Sequence, residues 1–70
     1  MFNVTFTEMT TPNRSYSFVA DWKLPVGEWN IMDAVPDEIV GVLESVVQSD
    51  TCPAFLLQGG NVVVVKVTEA

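Results

Sequence analysis

The sequence predicts a small α+β domain: an antiparallel sheet of about four strands in ββαββ order, with one helix packed on one face. Three observations predict it. Two segments near the N-terminus alternate apolar and polar residues with period two. One segment in the middle switches to the helical period. The C-terminal third is rich in valine around a Gly-Gly pair. At 70 residues the chain reads as a single domain, 1–70.

Each element has a local reason. Over residues 2–10, Phe2, Val4 and Phe6 face one way, and Asn3, Thr5 and Thr7 the other. Such alternation of aromatic and β-branched residues marks a half-buried strand. Thr10 to Ser15 contains Pro12 and Asn13 and reads as a turn. Residues 16–24 alternate again, with Tyr16, Phe18, Ala20, Trp22 and Leu24 on the buried face, so the two segments form a hairpin. Pro25 ends the second strand, because it has no N–H for a ladder. Val26 to Val35, holding Gly27, Trp29 and Asp33, reads as a loop.

From about Pro36 the residues Ile39, Val40, Leu43, Val46 and Val47 form one helical stripe. Proline suits a helix start, and Asp37 and Glu38 then meet the positive end of the helix dipole. Asp33 serves as the N-cap if the helix begins a turn earlier. Gly41 and the valines have low helix propensity, so this helix depends on tertiary packing. Ser49 to Pro53 ends it. Ala54 to Leu57 reads as a third strand, Gln58 to Asn61 as a glycine hairpin turn, and Val62 to Thr68 as a fourth strand that is apolar on both faces. One helix covers one face of a sheet, so that fourth strand calls for a second chain on the other.

Composition narrows the chemistry. A lone cysteine, Cys52, allows no internal disulfide and fits a reducing, cytoplasmic setting. With no histidine and one cysteine, the usual zinc ligand set is missing. The acids between Asp33 and Glu44 lack the glycine-bearing spacing of a calcium loop, so no metal or other cofactor is expected. Met1 to Thr5 has no basic start leading into an apolar run, and no stretch reaches the ~18 apolar residues of a membrane span. Two Asn-x-Ser/Thr triplets, at Asn3 and Asn13, read as chance occurrences.

Candidate catalytic groups are equally sparse. Cys52 has no histidine to activate it and reads as a small apolar filler. The serines sit in no nucleophile motif. Asp33, Asp37 and Glu44 could flank one side of the helix as paired carboxylates, but helix-dipole complementation accounts for them. Gly59-Gly60 has no nearby lysine and reads as a turn, not a phosphate cradle. The expectation is a chain that is not an enzyme.

The charge of −6, from nine acids against Arg14, Lys23 and Lys66, repels nucleic acid and acidic membranes and attracts basic protein surfaces. Glu28, Asp33, Asp37, Glu38 and Glu44 form an acidic run with no base among them, and Trp29 lies within it. Tryptophan is enriched at interface hot spots. These six residues are therefore the candidate contact for a larger partner with a basic surface, for which a nucleic-acid-handling protein is one class. Small acidic inhibitors that phages carry against host defences, CRISPR complexes included, follow the same logic. That is an analogy of role, resting on size, charge and missing catalytic residues. The alternative is a structural module, a homodimer or complex subunit, that makes contact through its apolar sheet face or fourth strand.

Overall fold

The structure, a computed structural model, describes residues 1–9, 13–49, 52–57 and 62–70. It is a four-stranded antiparallel sheet with one main helix, the α+β class that the alternation predicts. The strands are β1 (Phe2–Glu8), β2 (Arg14–Ala20), β3 (Gly27–Asn30) and β4 (Val63–Glu69). The helices are α1 (Asp37–Val47) and the single turn α2 (Ala54–Leu57). Across the sheet the order is β2-β1-β4-β3, so β2 and β3 are the edges.

Register assigns the faces. Val4 stands between Phe18 and Val67, and Phe6 between Tyr16 and Val65. Val4, Phe6, Val65 and Val67 are fully buried on this inner face, together with Ile39 from α1. Phe6 and Phe18 stack with ring centroids 6.0 Å apart, and Tyr16 follows at 5.8 Å from Phe18. The outer face reads differently. Thr5 and Ser17 share a hydroxyl hydrogen bond of 3.0 Å, and Thr7 and Ser15 one of 3.2 Å. Solvated hydroxyl pairs are a normal way to finish an open antiparallel face.

Four expectations need correction. First, Ala54–Leu57 is helical, not a strand: Ala and Leu are strong helix formers, no residue in it is β-branched, and Leu56 N–H bonds Pro53 O at 3.1 Å. Second, the missing strand lies inside the segment read as a loop. Gly27–Asn30 pairs with Val64–Val67 as β3, so the observed order is βββααβ. Third, β2 ends at Ala20 rather than at Leu24. Trp22 sits in a bend and is 48% exposed instead of on the buried face, because strand parity stops where the ladder stops. Fourth, Asp33 does not cap α1. Pro36 takes the N-cap position, and its carbonyl accepts from Ile39 and Val40 N–H.

The helix face is also turned slightly from expectation. Ile39 and Val42 are buried and Leu43 and Val46 pack against the core, while Val40 is exposed. This is the i, i+3, i+4, i+7 pattern of one helix face. The turn expected at Thr10–Ser15 and the hairpin expected at Gln58–Asn61 fall largely or wholly outside the described residues.

Candidate functional site

The six candidate contact residues do not form one patch. Asp33 lies in the turn after β3, where Asp33 N–H bonds Asn30 O at 2.9 Å. Asp37 and Glu38 occupy the first turn of α1, immediately after Pro36. These three acids are all exposed and lie within six positions of one another in sequence, at the N-terminal end of the helix. Glu44 is exposed too, about 10 Å further along the helix axis from Asp37. Glu28 belongs to a different surface. It sits on the outer face of β3 directly opposite Lys66 of β4, so its charge is partly balanced.

Trp29 is not carried on a loop. It sits in β3, opposite Val65, and is half-buried against the core. Gly27 makes this possible. A Cβ built on Gly27 would stand 2.8 Å from Cζ2 and 2.9 Å from Cη2 of the indole. The ring therefore lies over the glycine and covers the β3 edge of the core.

The remaining charges are arranged with a purpose that the sequence did not reveal. Glu8 is 5% exposed, on the inner face at the end of β1. Arg14, its partner in the β1–β2 register, donates from Nε to Glu8 Oε2 at 2.6 Å, and its Nη2 bonds the same oxygen. The guanidinium also stacks 5.1 Å from the Phe55 ring centroid, which holds α2 against the sheet. Thus one of the three bases serves the fold. The period-two pattern of β1 carries the signal for this, since it continues Phe2, Val4 and Phe6 to an inward Glu8.

Lys23 lines an open groove of about 440 Å³ with Leu24, Pro25, Pro36 and Glu38. The groove runs between the segment after β2 and the start of α1. It holds one cation and one carboxylate but no nucleophile. Cys52 is half-buried, and its thiol donates to the Pro53 carbonyl at 3.5 Å. Among the described residues, no three Cys, Asp or Glu side chains gather into a cluster that could hold a metal ion. Also among the described residues, no helix is long and apolar enough to cross a membrane.

The carboxylates of Glu28, Asp33, Asp37, Glu38 and Glu44 make no side-chain hydrogen bond or short ion pair among the described residues. Asp33, Asp37 and Glu38 are the densest part of this set. What they can do chemically is project negative potential from one corner of the molecule, reinforcing attraction for a cation at long range.

The fourth strand cannot offer a pairing edge. β4 is hydrogen-bonded to β1 along its whole length and to β3 at Val64–Val67, and Ile31 N–H extends that ladder to Val63 O. Its outward residues are Val64, Lys66 and Thr68, only one of which is apolar.

No protein-family model matches the chain, no curated protein matches it in sequence, and no solved structure matches it.

Proposed function

We propose that this protein is a non-enzymatic binding protein that docks its acidic corner, Asp33, Asp37 and Glu38, on a basic surface of a larger protein, and that Glu44 extends the contact along α1. One observation supports the reading above others. The acids of this segment are exposed and make no side-chain hydrogen bond or short ion pair among the described residues, their internal role being limited to the α1 dipole that Asp37 and Glu38 face and to Lys66 opposite Glu28, whereas Glu8, buried on the inner face, is matched by Arg14. Exposed charge that is not tied up in a side-chain pair remains free to steer an encounter. A partner that handles nucleic acid has the basic channel such a surface fits, and occupying that channel inhibits it. This is the role that phage-encoded acidic inhibitors, including those that act on CRISPR complexes, fill by mimicking nucleic-acid charge. Cytoplasmic residence belongs to the same proposal, supported by a composition that uses no disulfide.

Trp29 has a smaller part than its composition implies, because its indole is committed to the core edge. Glu28 is likewise secondary, being opposed to Lys66.

The test is capture of a partner from lysate of the source organism at low and high salt, by the natural chain and by a triple variant, Asp33→Asn, Asp37→Asn, Glu38→Gln. The natural chain retains the partner at low salt and releases it at high salt, and the variant associates at least tenfold more slowly. A partner held equally by both proteins at both salts would remove the proposal.

A further inference from the structure

Among the described residues the strand edge of β2 is the long, unpaired edge of this sheet, and we propose that it pairs with the same edge of a second copy. The contact would be antiparallel, with the two-fold axis at Ser17, making one eight-stranded sheet from two chains. This inference stands apart from the acidic-corner reading, since β2 carries none of those acids.

The case begins with the edge itself. Natural sheets protect edges with proline, inward charge, bulges or very short strands. β3, the other edge, is only Gly27–Asn30 and carries Glu28. β2 runs Arg14–Ala20, pairs with β1 at every residue without a bulge, and contains no proline and no charge beyond Arg14. Among the described residues no strand other than β1 pairs with it.

The occupant is indicated by the strand's own pattern. Under a two-fold axis at Ser17, Tyr16 lies opposite Phe18 of the second copy, and this pair occurs twice. Both rings are only half-buried in one chain and already belong to the Phe6–Phe18–Tyr16 stack. Self-pairing continues that stack across the axis and covers the ring surface left open. On the outer face Ser17 meets itself, and Ser15 meets Val19, which is 52% exposed. Nothing bulky or like-charged is forced together.

Charge agrees. Each copy carries −6, so two copies repel unless they approach by their least negative side. Residues 13–20 contain no acid and one base, Arg14, while Asp21 follows immediately. The antiparallel arrangement sets Arg14 of one copy, whose guanidinium is already paired with its own Glu8, beside the Ala20–Asp21 end of the other, so no unpaired like charges meet there. A different protein's strand has no such built-in match.

The experiment is sedimentation equilibrium of the full chain, from micromolar to about millimolar concentration, at low and high NaCl. Because net repulsion is screened by salt, the dimer should strengthen as salt rises. That is opposite in sign to the acidic-corner contact, so the two readings fail separately. Ser17→Glu sets two like charges on the axis at an exposed position. It should weaken the dimer at least tenfold while circular dichroism stays unchanged. Val64→Lys, on the outer face away from β2, should leave the dimer intact. In a Cys52→Ser background, Ser17→Cys should form an oxidised dimer, because facing Cα atoms of antiparallel strands lie about 4.5–5.5 Å apart, within disulfide reach. A monomer at every concentration and salt would overturn the proposal and leave the edge to a different protein. So would a dimer indifferent to Ser17→Glu, or one that Val64→Lys dissolves.

Discussion

At the scale of single residues, the contact between Gly27 and Trp29 shows how tightly the β3 edge is closed. The indole occupies the space where any other residue at position 27 would carry its side chain. In Gly27→Ala the new methyl group and the ring cannot both stay, since 2.8 Å is far inside normal carbon–carbon contact. The ring must tilt outward and uncover core, at a cost of about 1–3 kcal/mol typical of overpacking. Urea unfolding should show the lower midpoint, and the emission of Trp29 should shift to the red, read in a Trp22→Phe background. An unchanged midpoint would mean that the indole does not lie over Gly27. Glu8 teaches a related lesson. A carboxylate at an inward strand position looks like an interruption of the apolar pattern, yet Arg14 across the ladder and Phe55 beneath the guanidinium give it a defined setting. A charge at such a site fixes register, because a one-residue slip would carry it to the other face of the sheet.

At the scale of elements, α1 offers a sharp discrimination between two ways of reading one helical stripe. Ile39 and Val40 are adjacent and both apolar, but only Ile39 is buried. Ile39→Ala should cost about 2–5 kcal/mol through lost burial and the cavity it leaves. Val40→Ala should fall within about 0.5 kcal/mol of neutral, since alanine's better helix propensity offsets the little packing lost. Paired denaturation curves would decide, and comparable losses for both would place Val40 in the core. The sequence showed the existence of this helix plainly, because its apolar spacing runs through three turns. Its exact facing was harder to see, since Val40, Val42, Val46 and Val47 are chemically identical and only tertiary packing chooses among them. β1 was legible because its alternation is long, and β4 because its run of valines follows a Gly-Gly pair. β3 was hidden because Gly27, Glu28 and Asn30 are poor strand formers, and only the two-residue spacing of Trp29 and Ile31 toward the core betrayed it. In the other direction, Ala54–Leu57 looked like a strand because a short apolar run has no period to distinguish the two states. The candidate site was legible as composition, five acids without a base, but not as a shape. Sequence places Glu28 beside Asp33, whereas the fold sends one to the outer face of the sheet and the other to the head of the helix.

At the scale of the whole molecule, charge sets the balance between stability and availability for binding. A domain of this length buries only about 60% of its unfolded surface, so small electrostatic terms matter. Among the described residues the short ion pair is Glu8–Arg14, which leaves the exposed acids mainly repelling one another. A surface kept negative for an encounter should therefore cost the isolated chain some stability. Screening removes that cost without touching the core. Raising NaCl from about 10 mM to 0.5 M shrinks the Debye length from about 30 Å to under 8 Å, which screens most repulsion between exposed charges. The expected gain is about 0.5 kcal/mol, or roughly 2–4 °C in the thermal midpoint for a domain of this size. Circular dichroism melts at micromolar concentration, with Ser17→Glu run in parallel to exclude any contribution from self-association, provide the measurement. The triple variant Asp33→Asn, Asp37→Asn, Glu38→Gln should respond less to salt, because the repulsion that salt relieves has already been removed, while its low-salt midpoint sets that relief against the loss of the acids facing the α1 dipole. If the midpoint of the natural chain instead drops as NaCl is added, these carboxylates are holding the fold together and are not held in reserve for a partner.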